Sequence, residues 1–574
     1  MNKKLSDAAL AVVIRYARRR GISPSEINSF LNPQLDPRKF ALADADKAAA
    51  RLQRAIENHE AVVLFGDYDA DGICATTILL RFLRECTTLR PAWKLPDRRV
   101  DPYGLDADSA KKLVAEFNPA LIVCLDNGTN STDAIAWVRQ QGVDTIVIDH
   151  HPLATPAHDA IATINPKAHP AVEDDDLTDL CGAGLSLLFC HHLAAKWNCG
   201  AQWNCDVATM LAGIATLADS VPLGRTNRAI AKSAMKLLNT PAALRRCIGL
   251  QALIPDDGQR ISQRRIQFEI VPKLNALGRL ESAAPGVRLL TTADPAEADE
   301  IAQHCENLNQ ARKLIQETTV AMAVDQGREL LDRCPSLPVL ICAHHDWVSG
   351  VCGPAASRVA EKLGRSTILL GPDITPGQWK GSGRSHHADD IGGWLYAVRE
   401  KGFIQRGGGH PGAVGLVTCS EQIIKLRAAA EHLPMPHVSD YEPKQELVGE
   451  LNELPPEHWL QVLEAIAPCG LGNPEPLIAA RSAWLTKAPV ALLLRDSSKP
   501  WAWRGEFKVG RQTITAVWRD VEQAEKQWRQ GDTYNLRLEL SAKQINGRIF
   551  FNWAVAQSEP VNSRLALSRP QTRD

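Results

Sequence analysis

AVVLFGDYDADG, residues 61–72, sets an apolar run directly against three aspartates at alternate positions. AVVLF reads as a buried strand of a parallel sheet, so Asp67, Asp69 and Asp71 fall at its carboxyl end, where open α/β sheets place their ligands. Carboxylates this crowded repel one another unless a cation sits among them, and hard divalent ions such as Mg2+ or Mn2+ take oxygen ligands. A solvated acidic loop and an EF-hand-like calcium loop are the competing readings. The flanks argue against a calcium loop, because Gly72 is followed by the helical pattern ICATTILLRFL and no glutamate closes a twelve-residue loop. Gly72 itself is expected to let the chain turn into that helix.

The pattern recurs. ALIVCLDNG (120–128) is a second apolar run ending in Asp126, and DTIVIDHH (144–151) is a third, ending in Asp149, His150 and His151. ATLADSVPL adds Asp219 after a further apolar segment. Any one of these acids alone would read as a helix cap or turn residue. Together they deliver carboxylates and neutral imidazole to one sheet edge, a donor set suited to Mn2+ or a similar ion. Two ions about 3.5–4 Å apart form the arrangement suited to in-line displacement at phosphorus.

DYDADG, LDNG, DHH and LADSVPL, in this order and spacing, resemble the four motifs of the DHH phosphoesterase superfamily. NALGRL (275–280), GSGRS (381–385), and GGGH followed by PGAVG (407–415) resemble its RecJ exonuclease branch and that branch's second domain. GNPEP (472–476) is similar to the start of the branch's C-terminal OB-fold region, so the likeness extends from about residue 40 to 555. The resemblance implies an α/β fold with a two-lobed core: a parallel-sheet metal lobe and a smaller α/β lobe, joined by a long helix, with a C-terminal OB-fold β-barrel. The implied activity is 5′→3′ hydrolysis of single-stranded DNA to 5′-mononucleotides, in DNA repair or recombination, with two Mn2+ or Mg2+ ions. Asp67, Asp69, Asp71, Asp126, His150 and Asp219 would hold the ions. Asp149 would orient a neighbouring histidine, and His151 would meet the phosphate. Arg98, Arg279, Ser382 and Arg384 would surround the 5′-phosphate. Val348, after Trp347, stands where the family has histidine, and DPYGL replaces its Gly-Tyr-Gly.

Two other readings stay open: a phosphodiesterase for oligonucleotides or cyclic dinucleotides, and a non-catalytic single-strand-binding scaffold. A C-terminal barrel favours a long strand over a short ligand, and retained acids argue against a scaffold.

The chain of 574 residues divides into several domains, and 45% hydrophobic with 23% charged residues is ordinary for a globular protein. A net charge of −1 excludes a general basic coat for nucleic acid but not a local groove. With no apolar run near 18 residues and a charged amphipathic start, the chain is expected to be cytoplasmic, without a membrane partner. A monomer is expected, with single-strand-binding protein or a helicase as candidate partners. The 14 cysteines lie scattered in apolar segments with no CxxC pair and read as reduced core residues.

Residues 1–60 read as a helical segment packed on the metal lobe (61–292). A long connecting helix (293–334) follows, then a second lobe (335–440) whose GSGRS and GGGH read as glycine-rich loops. There Ser382, Arg384, His410 and exposed amides would bind an anion. After the proline-containing linker 433–444, short alternating strands to 557 give the barrel, and 558–574 read as a disordered tail. Seven of the 14 tryptophans lie between Trp459 and Trp553, with Trp501 and Trp503 the candidates for stacking on bases.

Overall fold

The computed structural model describes residues 5–37, 40–102, 104–153, 159–169, 175–438, 446–493, 500–545 and 548–561; residues 439–444 of the linker and 562–574 of the tail lie outside them. Three sheets organise the chain. The first comprises β1 (Val62–Phe65), β2 (Ala92–Lys94), β3 (Leu121–Leu125), β4 (Asp144–Ile148) and β5 (Ala162–Ile164), all parallel, in the order β2-β1-β3-β4-β5. β1 and β3 are buried along their whole length, as strands covered on both faces must be. The chain runs outward one way from β1 and the other way from β3, which opens a crevice between their carboxyl ends. Helices Ala107–Phe117 and Thr132–Gln140 cover one face, with Leu113 and Ile135 in its core. Helices Ala70–Cys86, Gly182–Lys196 and Cys205–Ala218 cover the other.

Gly72 lies within the first turn of helix Ala70–Cys86, so it is no turn residue. A Cβ there would fall 2.5 Å from the Asp67 backbone nitrogen, and the missing side chain is what lets the helix start so close to the strand end.

Helix Pro295–Arg333 buries Ala298, Ile301 and Cys305 in the first core and Val320, Ala323 and Val324 in the second, spanning both lobes. The second sheet comprises β6 (Val339–Ala343), β7 (Ser366–Pro372), β8 (Gln378–Arg384), β9 (Arg406–His410) and β10 (Ala413–Cys419), in the order β6-β7-β8-β10-β9. Residues 381–384 of GSGRS and all of GGGH therefore lie in strands rather than loops. β8 is paired on both sides, to β7 and β10, so its amides are engaged in the ladder. Its glycines serve packing: a Cβ at Gly381 would lie 2.1 Å from the Leu369 carbonyl oxygen, and one at Gly383 would meet Val414 and Ile391 within 2.8 Å.

The third sheet closes on itself. β12 (Leu477–Leu485), β14 (Pro500–Val509), β15 (Gln512–Trp518), β16 (Thr533–Ile545) and β17 (Arg548–Pro560) pair in the ring β12-β14-β15-β17-β16-β12, with β15 parallel to β17. This is a five-stranded OB-fold barrel, with β11 (Leu447–Glu450) added beside β12 and β13 (Val490–Leu493) beside β14. β17 continues to Pro560, so residues 558–560 belong to the barrel and not to a tail; their alternation with β16 carries the pairing on to Tyr534.

The N-terminal segment splits in two. Helix Ala45–Glu57 packs on the metal lobe, burying Ala48 and Leu52 and pairing Arg51 with Glu60 at 2.7 Å. Helix Asp7–Arg19 instead buries Val12, Val13 and Tyr16 against Val448 and Trp459 of the barrel region. An amphipathic stripe demands an apolar partner without specifying which one.

Candidate metal and phosphate site

At the β1 terminus, Asp67 is buried and its Oδ1 accepts the Tyr68 amide at 2.7 Å. Asp69 caps helix Ala70–Cys86, accepting the amides of Asp71 (3.0 Å) and Gly72 (3.1 Å). Asp71 caps a different helix: its two oxygens accept Gly182 N at 2.7 Å and Ala183 N at 2.8 Å. Asp126, beyond β3, adopts a left-handed backbone (φ 62°), a conformation aspartate tolerates better than most residues. Its buried Oδ1 has no hydrogen-bond partner among the described residues and faces His150 Nε2 at 3.2 Å. That nitrogen is also 3.8 Å from Asp71 and 3.7 Å from Asp219, which closes helix Cys205–Ala218.

Three donor groups emerge, each with its ligand atoms within 4.8 Å of one another: Asp67, Asp69 and Asp126; Asp71, His150 and Asp219; and Asp126, Asp149, His150 and His151. Asp126 joins them through its contact with His150. Burial, then the charge of Asp69, pushes the Asp67 carboxyl up to about 8. Burial, then Asp71 and Asp69, drives Asp126 well above the carboxylate range. Burial pushes His150 down to about 4, leaving a neutral imidazole. An orphaned buried oxygen, mutually repelling acids and a neutral imidazole fit divalent cations.

Asp149 has a different task. It accepts hydrogen bonds from the amides of Thr129 (3.0 Å), His150 (2.7 Å) and His151 (3.2 Å) and from His151 Nδ1 (2.7 Å). Although burial opposes it, these contacts and the histidine charges hold Asp149 below the usual carboxylate range.

Cations join the acids. A cavity of about 250 Å³ is lined by Asp69, Asp71 and Asp219 together with Arg98, Arg279 and Arg384. Arg98 stacks its guanidinium 4.2 Å from the centre of the Tyr68 ring, while Arg99 turns outward to pair with Asp97 at 2.7 Å. Arg279 Nη1 donates to the Gly350 carbonyl of the second lobe at 2.9 Å. Burial, then the nearby guanidiniums of Arg98 and Arg312, lowers Arg279 to about 9. Arg384 projects from the end of β8. Cations crowded out of water in this way call for an anion.

Residues 61–216 match the DHH family, N-terminal domain, and residues 336–433 match the DHHA1 domain. The protein named single-stranded-DNA-specific exonuclease RecJ in Bacillus subtilis is 30% identical over 478 residues, covering 80% of this chain and 58% of that protein. Its namesake in Haemophilus influenzae is 27% identical over 480 residues, 80% of this chain and 81% of that one. This chain belongs to the DHH family, in its RecJ branch. The fold agrees: RecJ of Thermus thermophilus with Mn2+ superposes with a TM-score of 0.75 at 23% identity, covering 96% of this chain and 76% of that one. The chain spans 58% of the length of the B. subtilis RecJ.

In this RecJ-branch chain the six residues expected to hold metal converge, and Arg98, Arg279 and Arg384 join them. Ser382 and His410 lie outside the lining of that cavity: Ser382 is half-buried in β8, and His410 is exposed on β9 with its Nδ1 accepting the Gly412 amide at 3.2 Å. Trp501 is exposed, whereas Trp503 is half-buried against the barrel core. Asn275 was missed. Its Oδ1 accepts the Ala70 amide at 2.8 Å, and it lines the cavity one helical turn before Arg279. That spacing of four within NALGR was the available signal.

Proposed function

We propose that this chain is a two-metal exonuclease that removes 5′-mononucleotides from single-stranded DNA in the 5′→3′ direction. The observation carrying this reading is one cavity lined by both cation-seeking carboxylates and anion-seeking guanidiniums. The names of the RecJ relatives supply the single-stranded DNA. Asp67, Asp69, Asp71, Asp126, His150 and Asp219 would hold two Mn2+ or Mg2+ ions. When bound, such ions lower the pKa of an attacking water and polarise the scissile phosphate.

The chain's own groups do the rest. Arg98, Arg279 and Arg384 bind the terminal 5′-phosphate and set where the next phosphodiester lies, which confines cutting to an end. Tyr68 holds Arg98 flat, and Gly350 holds Arg279. Asp149 fixes the His151 ring and keeps it protonated up to about pH 9, against its burial, so His151 presents positive charge to the reacting phosphate. The barrel holds the trailing strand. We place this enzyme in the cytoplasm, acting as a monomer.

Strands blocked at one end test the polarity. A strand blocked at its 5′ end should resist Mn2+-dependent degradation while one blocked at its 3′ end is shortened; the reverse pattern would overturn the direction.

A further inference from the structure

Asp219 reaches its donor group from the end of helix Cys205–Ala218 and not from a strand of the first sheet. The chain leaves that helix through Ser220 in a left-handed backbone (φ 56°), a conformation that persists only where the surroundings hold it. Two hydrogen-bonded routes hold this segment, one on each side of Asp219, and both lead to the loop that enters the barrel.

On the helix side, the Leu217 carbonyl is one of the last four of its helix, which find no donor within it. It accepts Gln267 Nε2 at 3.3 Å. Gln267 Oε1 accepts Gln263 Nε2 at 3.2 Å, and Gln263 grips the backbone of Cys469: its Oε1 accepts the Cys469 amide at 2.7 Å and its Nε2 donates to the Cys469 carbonyl. Gln267 lies in a π turn, Ile266–Ile270, a widened turn of the kind that often marks a functional position. On the other side of Asp219, the Leu223 amide donates to the Leu471 carbonyl at 2.7 Å.

The loop itself, residues 467–473, is firmly built. Asn473 is buried and donates its Nδ2 to the carbonyls of Ile466 (3.2 Å) and Pro468 (2.5 Å). Arg20, at the end of helix Asp7–Arg19, donates to Asn473 Oδ1 and to the Gly472 carbonyl, each at 2.6 Å. From the metal lobe, the buried Arg228 donates to the carbonyls of Pro468 (3.1 Å) and Ala465 (3.2 Å).

We propose that this loop positions the Asp219 carboxylate for its metal ion, with Gln263 and Gln267 as positioning residues, so that tight binding at Asp71, His150 and Asp219 requires the barrel region docked on the metal lobe. The inference rests on the metal site of the nuclease reading. A group that orients a metal ligand tunes the affinity of the site without touching the ion.

The test uses the full chain and Mn2+ alone, with free Mn2+ read from its electron paramagnetic resonance signal. Gln267→Met keeps the length of the side chain and removes both of its hydrogen bonds; it should weaken one Mn2+ binding step about tenfold, the scale of losing a group that supports a metal ligand. Gln263→Met breaks the relay at its barrel end and should weaken the same step to a similar degree. Val509→Ala truncates the barrel core outside the loop; it should lower Tm and leave Mn2+ affinity at the native value. In hydrolysis, both glutamine variants should need more Mn2+ for half-maximal rate, with KM for the strand unchanged. Native Mn2+ affinity in a folded Gln267→Met, or equal weakening by Val509→Ala, would overturn the positioning role. Weaker Mn2+ binding by Gln267→Met in a protein whose native form never cuts a strand would overturn the nuclease reading and leave the positioning role standing.

Discussion

Asp149 Oδ1 and His151 Nδ1 meet at 2.7 Å, and the same carboxylate gathers the amides of Thr129, His150 and His151, so one buried acid sets the geometry of the whole DHH turn. Asp149 is 1% exposed, so removing it strands several buried donors at once. Asp149→Ala should lower stability by about 3 kcal/mol, the scale of breaking a buried ion pair, and cut turnover by about 10–100-fold, as loss of a group supporting metal ligands does. Chemical denaturation and single-turnover hydrolysis measure the two separately; unchanged turnover in a folded variant would refute the positioning role.

The crowded acids make the metal-free protein sensitive to pH. Asp67 is raised by burial and by Asp69 from 3.8 to about 8, so the fold binds an extra proton between those values and loses stability as pH rises through about 8. His151, raised by Asp149 from 6.5 to about 9 despite burial, contributes stability below 6.5 that is lost through about pH 9. Both signs agree above pH 6.5, beyond the range in which His150, lowered to about 4, gains stability with rising pH: in EDTA, Tm should fall from pH 6.5 to 9. Saturating Mn2+ replaces the proton at Asp67, so the gap between Tm with Mn2+ and Tm with EDTA should widen with pH. A gap that narrows would contradict the cation site.

Gly278 sits so close to the metal loop that a Cβ would lie 2.0 Å from the Tyr68 carbonyl oxygen. Gly278→Ala should force the helix bearing Asn275 and Arg279 off that loop, costing about 1–3 kcal/mol. Hydrolysis should fall along with stability, because Asn275 holds the Ala70 amide beside Asp69 and Asp71. A variant as stable and active as the native chain would show that the close approach is dispensable.

The barrel tryptophans separate by exposure. Trp501 is 43% exposed, whereas Trp503 packs on the core. Trp501→Ala should leave Tm unchanged and weaken binding to a long single strand by about 1–3 kcal/mol. Trp503→Ala should lower Tm, with a stability loss of about 2 kcal/mol. Strand titrations and thermal melts on both variants distinguish the roles, and identical behaviour would remove the stacking role from Trp501.

The metal site was legible because its signal is repeated: three apolar runs each end in acids, and strands covered on both faces advertise themselves by continuous hydrophobicity. Arg98 came from the resemblance alone, since neighbours in an irregular segment have no period to assign them a face; the stack on Tyr68 supplies the physical distinction from Arg99. The glycines of GSGRS read as loop because sequence shows their freedom and not the Leu369 carbonyl pressed against Gly381. The docking of helix Asp7–Arg19 on the barrel was hidden for a related reason, since its partners Val448 and Trp459 lie more than four hundred residues away and periodicity is a local property.

Release of mononucleotides from 5′-labelled single-stranded DNA in Mn2+, comparing the native chain with Asp126→Ala, tests the central claim most directly. Asp126 carries an orphaned oxygen, belongs to two of the donor groups and lies outside the lining of the arginine cavity, so its loss should abolish metal-dependent release while strand binding persists. Release by the native chain that vanishes in both EDTA and Asp126→Ala is the predicted result. Equal release by Asp126→Ala, or a native chain that binds the strand and never cuts it, would contradict the two-metal nuclease.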